Sequence, residues 1–90
     1  MRLVWRARTR RDVEAIVEYL AERNPSEADR VEALIERAVG TLQVRPLLYK
    51  PGRLPGTREA VIHRNYIIVY RVVDDVVTIL AVLHARQRYP

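Results

Sequence analysis

The stretch "VLHARQRYP", residues 82–90, sets His84, Arg86, Arg88 and Tyr89 directly behind an apolar run. Such side chains could act on a phosphodiester. Cleavage of RNA through its 2′-hydroxyl needs a base for the hydroxyl proton, cations for the pentacoordinate phosphate and an acid for the leaving oxygen. Imidazole titrates near neutrality, which makes His84 the candidate acid–base group. Arg58, Arg71 and Arg86 would supply the cations. A phenol ionises only near pH ~10, so Tyr89 needs help to serve as the acid. His84 has no carboxylate close in sequence to orient it. The cluster is therefore a ribonuclease site, a recognition surface for another macromolecule, or a solvated tail.

Composition narrows the setting. Ninety residues, nearly half of them hydrophobic and with few Gly and Pro, make one globular domain spanning 1–90. Cysteine is absent, which removes disulfides, thiolate catalysis and thiolate metal sites. His63 and His84 are the only imidazoles, without acidic neighbours at a ligand spacing, so neither metal nor cofactor is expected. No apolar run approaches a membrane span and no signal peptide follows the basic opening "MRLVWRARTRRD", so the expected location is cytoplasmic. Sixteen Lys and Arg face eleven Asp and Glu for a net charge of +5, and all the cations but Lys50 are Arg. The planar guanidinium fork grips phosphate or carboxylate in paired hydrogen bonds, which suits nucleic acid or an acidic protein.

The elements that must position these groups follow from periodicity. Arg2 to Ala7 read as a short strand. Thr9 reads as a helix N-cap with Asp12 three residues on, ahead of the apolar stripe Val13, Ile16, Val17 and Leu20. "ERNPSEAD" breaks that helix, and Ala28, Val31, Leu34, Ile35, Ala38 and Leu42 mark a second. From Arg45 to Thr57 three prolines and two glycines leave only a loop. "REAVIH", "YIIVYRVV" and "VVTILAVL" then alternate with period two around the turns Arg64-Asn65 and Asp74-Asp75. The fold class is α+β: an N-terminal strand, an antiparallel helix hairpin and a three-stranded antiparallel meander, with the helices on one face of the sheet.

Uninterrupted pairing from Asp74-Asp75 sets Arg71 opposite Thr78, Val69 opposite Leu80 and Ile67 opposite Val82. Tyr66, Ile68, Tyr70 and Val72 then share an uncharged face with Val77, Ile79, Ala81 and Leu83, and that face should carry the helices. Arg71, Thr78, His84 and Arg86 lie on the other face. The Arg64-Asn65 turn adds Arg58 opposite Arg71, making an open, anion-accepting surface. A slip of one residue at that turn would send Arg58 to the core side instead.

The order of elements, with "PGTREAVIHRNYIIVYRV" and "ILAVLHARQRYP", resembles the RelE/ParE superfamily of toxins from bacterial toxin–antitoxin pairs over essentially the whole chain. The resemblance implies a cognate acidic antitoxin and a hetero-oligomeric complex with it. RelE-like members are ribosome-dependent messenger RNA endonucleases; ParE-like members are associated with inhibition of DNA gyrase. The Arg of the nuclease pattern in the middle meander strand falls on Ile67, the paired lysines of the first strand fall near Glu59 to Val61 and are absent, and only the Arg after the last strand is matched, by Arg86. The resemblance therefore points to the ParE-like branch, a binding inhibitor of gyrase without turnover. The alternative is a RelE-type endoribonuclease using Arg86, His84 and Tyr89, and a toxin reduced to an antitoxin-binding module stands beside both. Arg58, Arg71, His84, Arg86, Arg88 and Tyr89 are the expected target-binding residues. Ile62, Ile67, Val69 and Arg71 are expected to bind the antitoxin.

Overall fold

Asn24-Pro25 cuts the helical half of the chain in two. Proline has no backbone N–H to give and is tolerated at the first position of a helix, where none is needed. A computed structural model, describing residues 1–88, places α1 at Ala7–Arg23 and α2 at Pro25–Val44. The Asn24 side chain caps α2 by accepting from the backbone N–H of Glu27 at 3.2 Å and from the Ser26 hydroxyl at 2.9 Å. The second helix buries Ala28, Val31, Ile35, Ala38, Val39 and Leu42. Each larger aliphatic among them contributes roughly 1.5–3 kcal/mol by leaving water. On α1, Val13, Ile16 and Leu20 are only partly covered.

The strands are β1 (Arg2–Trp5), β2 (Lys50–Pro51), β3 (Arg58–His63), β4 (Tyr66–Val73) and β5 (Val76–His84). They form one sheet in the order β1-β5-β4-β3-β2. The meander is the expected one, and β1 extends it by pairing parallel to β5, with Trp5 beside Ile79. The first strand stops at Trp5 because Ala7 already belongs to α1. The predicted loop likewise yields two residues to the sheet, Lys50 and Pro51 pairing with Glu59 and Arg58. Both expected two-residue turns form, and at the second of them Asp74 takes a positive φ of 54°. The helices cover one face, where Ala60, Ile68, Tyr70, Val77, Ile79 and Val82 meet α2 in the core.

The residues between β2 and β3 are tied down by Glu59. Its carboxylate accepts from the backbone N–H of Arg53 at 2.9 Å and from the Arg53 guanidinium at 3.2 Å. Gly52 lies so close to Thr57 Oγ1 and Glu59 Cγ that no side chain fits there. Burial pushes the Glu59 carboxyl up, but Arg53 and Lys50 outweigh it and leave the group below its ordinary pKa of 4.5. Folding thus favours the carboxylate, so its contribution is present above the ordinary pKa and lost as pH falls through the lowered one. Glu59→Gln keeps the shape and removes the charge. Thermal melts from pH 7 downward should show wild-type stability falling more steeply below pH 4.5 than that of the variant; parallel curves would place the acid sensitivity elsewhere.

Candidate functional site

Two bulges decide which side chains meet. Near the start of the meander, Val61 pairs with Ile67 and His63 with Tyr66, so Ile62 is the extra residue of β3. In β5 the register shifts between Ile79, opposite Tyr70, and Ala81, opposite Val69, leaving Leu80 as the extra residue. A bulge turns every later side chain to the other face. The uninterrupted pairing expected for both hairpins is therefore corrected by one residue beyond each bulge.

A helix side chain meets the second bulge. Thr9, expected to cap α1, instead lies inside it, and Arg6 occupies the cap position without a side-chain bond. The fully buried Thr9 hydroxyl faces the carbonyls of Leu80 and Ile79, at 2.9 and 3.3 Å. The hydroxyl thereby supplies a donor to the carbonyls at the bulge.

These shifts rearrange the expected site. His84 leaves the open face for the helix side, where its ring meets the edge of Tyr66 at 5.5 Å. Ala81 and Leu83, expected under the helices, pass to the open face with Val69 and Ile67. Arg58 stands opposite Tyr70, on the helix side, and Glu59 takes the open-face position. The facing pair Arg58–Arg71 does not form. Arg58 instead donates to the Tyr49 carbonyl at 2.6 Å, next to Tyr70, whose hydroxyl donates to the Pro46 carbonyl at 2.7 Å. Burial raises the pKa of the Tyr70 phenol, keeping it a donor. Arg58→Ala is expected to cost roughly 1–2 kcal/mol, since a hydrogen bond from a charged donor is lost; urea unfolding measures it, and an unchanged midpoint would return Arg58 to the surface.

Arg71 stays exposed on the open face opposite Thr78. It is five residues along β4 from Tyr66, roughly 17 Å from the His84 end of the sheet. At that end, His84, Ala85 and Arg86 share a basin of about 550 Å³ with Arg64 and Asn65. A groove of about 660 Å³ continues between α1 and the sheet, with Arg8, Tyr19, Tyr66 and Gln87 among its walls. Arg88 is exposed beyond it, and Tyr89 lies outside the described residues. Of the expected target-binding set, the fold brings together His84 and Arg86, and adds Arg8, Arg64 and Tyr66. Arg64 had only a turn signal in the sequence, and Arg8 is one of several arginines before the first helical stripe.

A second missed feature joins residues thirty-six apart. His63 Nε2 lies 3.0 Å from Glu27 Oε1, and His63 Nδ1 accepts the Asn65 backbone N–H at 3.0 Å. With Nδ1 accepting, the neutral ring carries its proton on Nε2 and donates it to Glu27. Both nitrogens are engaged, so the pair clips the β3–β4 turn to the start of α2 and leaves no lone pair for a base. His84 Nδ1 likewise accepts from the Arg86 backbone N–H at 3.1 Å. In that arrangement its neutral ring can donate a proton but has no vacant lone pair with which to take one. Among the described residues no three His, Asp or Glu side chains gather as metal ligands, and no helix is long and apolar enough to cross a membrane.

Of the expected antitoxin-binding residues, Ile67 and Val69 are 8% and 1% exposed, flanked in the central strand by their neighbours on β3 and β5. Ile62 packs against the core at its bulge. These three offer a partner little surface, and the open face presents Val61 and Arg71 instead.

Residues 3–89 match the family model for the ParE toxin of the type II toxin-antitoxin system, parDE. The chain belongs to the ParE toxin family. It is 41% identical over 90 residues to the protein named "Putative toxin Y4kP" of Sinorhizobium fredii (strain NBRC 101917 / NGR234), covering 99% of this chain and 93% of that one. A chain of the solved chromosomal ParDE TA system from P. aeruginosa shares the fold, with a TM-score of 0.81 at 24% identity over 93% of this chain and 95% of that one. Within the ParE fold of this chain, the Leu80 bulge sets His84 opposite Tyr66, and the Arg64-Asn65 turn and the residues after β5 bring Arg64 and Arg86 to the same end of the sheet.

Proposed function

We propose that this ParE-family chain arrests growth in the cytoplasm by binding DNA gyrase, without turnover, and that a cognate acidic antitoxin holds it inactive in a hetero-oligomer. The observation that carries the reading is the state of the would-be nuclease groups. Ile67, where the nuclease pattern has a phosphate-binding Arg, is buried opposite Leu83. Nδ1 of each imidazole accepts a backbone N–H, which favours the tautomer with the proton on Nε2 and opposes either ring as the base for the 2′-hydroxyl proton. Arg binds phosphate or carboxylate, but the cleavage step also needs a positioned base.

The target contact is the basic and aromatic end of the sheet: Arg64, His84 and Arg86, with Arg88 and Tyr89 following. Arg and Tyr are the side chains that give large contact area at low entropic cost. Antitoxin contacts on the open face fall to Val61 and Arg71. Primer extension on translated messages in induced cells tests the reading: no toxin-dependent cuts are expected. Cuts that vanish with Arg86→Ala would establish the endoribonuclease in its place.

A further inference from the structure

The last two turns of α2 do something an amphipathic helix of a free protein has no reason to do. The side of such a helix away from the core is ordinarily charged. Here Arg37, Gly40, Thr41 and Val44 follow one another at i, i+3, i+4 and i+7, and with Arg45 and Leu48 they line a groove of about 480 Å³. Val44, Leu47 and Leu48 are 79%, 64% and 55% exposed, three of the large apolar side chains most open to water among the described residues.

Gly40 is the decisive residue. Glycine inside a helix costs stability relative to Ala because of its backbone freedom. A Cβ at Gly40 would meet nothing within 4 Å, so packing within this chain does not demand a glycine there. A bare helix surface flanked by exposed aliphatic groups admits close approach by a second backbone.

Charge identifies what approaches. Between Glu36 and Glu59 the sequence has no acidic residue and five cations: Arg37, Arg45, Lys50, Arg53 and Arg58. Two of them, Arg37 and Arg45, border the groove. A second copy of this chain docking symmetrically through this groove would set one basic patch against an identical one. We propose that this groove, centred on Gly40, seats an apolar, acidic segment of the cognate antitoxin, with Val44 and Leu48 taking its apolar side chains and Arg37 and Arg45 its carboxylates. The inference rests on the reading of this chain as an antitoxin-neutralised toxin.

Titration calorimetry with the purified product of the reading frame immediately upstream separates the two claims. If that protein does not bind the wild-type chain, the antitoxin reading fails. Given binding, Gly40→Trp is expected to weaken it at least tenfold, and Arg37→Glu with Arg45→Glu to weaken it comparably with a shallower salt dependence. Gly40→Ala should raise the Tm of the free chain by roughly 4 °C or more while weakening binding. Each variant is checked by circular dichroism, and the exposed double arginine variant decides the matter if Gly40→Trp misfolds. Wild-type affinity in folded variants would overturn the proposal. So would self-association abolished by Gly40→Trp, which assigns the groove to a second copy. Loss of growth arrest with antitoxin affinity intact would assign it to the target.

Discussion

A chain ending at Ala85 is expected to fold and to bind its antitoxin, yet to lose growth arrest. The last backbone bond joining this end to the sheet runs from the Ala85 N–H to the Asn65 carbonyl at 2.7 Å, and the truncation keeps it. Beyond it, residues 86–88 are exposed, and the local bonds they make are from Arg86 and Gln87 back to His84. Removing them costs little burial. It does remove Arg86 and Arg88 from the basic end of the sheet, and it removes Tyr89 from the sequence. Arginine and tyrosine anchors of an interface each account for about 2 kcal/mol or more when truncated. Loss of two such anchors weakens target binding by roughly three orders of magnitude. Arg86→Ala with Tyr89→Ala should approach the same result. The comparison is growth after induction at equal expression: a truncated chain as toxic as the full one would reduce the tail to a solvated end. Unfolding would make residues beyond Ala85 part of the scaffold.

Thr9→Val should destabilise the protein by roughly 1–3 kcal/mol, the usual cost of leaving a buried polar group unpaired. Valine matches threonine in shape, so packing changes little while the donor to the Leu80 and Ile79 carbonyls disappears. The larger consequence concerns register. Straightening the bulge would turn Ala81 and Leu83 under the helices and carry His84 off Tyr66. A ring contact between His84 and Tyr66, now at 5.5 Å, is the reporter. Its nuclear Overhauser signal should weaken in the variant together with the urea midpoint. Full stability with the contact intact would mean that the bulge is held by the sheet alone.

The same residue shows where sequence reading stops. The two helical stripes, the meander and both turns are local patterns, and each was legible because period and turn chemistry are set by neighbours. A bulge leaves no such trace. Nothing in "VVTILAVL" distinguishes Leu80 from the alternating residues around it, and the donor that meets its carbonyl is seventy-one positions away. Arg58 shows the cost: alternation continued through Ile62 sets it opposite Arg71, whereas the observed bulge sets it opposite Tyr70. Glu27 and His63 were both visible as residues, but their pairing depends on how α2 crosses the sheet. Ile67 was legible in type, an apolar residue where the nuclease pattern has Arg. Its burial required the finished sheet.

The two-branch choice between gyrase inhibitor and endoribonuclease is thus chemical, and it turns on whether a base faces a bound phosphate. On the proposed function, Arg64, His84 and Arg86, which line one basin, serve to bind, and the backbone bonds to Nδ1 of His63 and His84 weigh against either imidazole as the base. The most direct test combines the purified protein with purified DNA gyrase and follows supercoiling of a relaxed plasmid. Dose-dependent loss of supercoiling by the full chain, restored by prior addition of the antitoxin and absent with the chain ending at Ala85, is the predicted result. Undisturbed supercoiling at saturating protein, from a preparation that cuts messages on translating ribosomes, would contradict it.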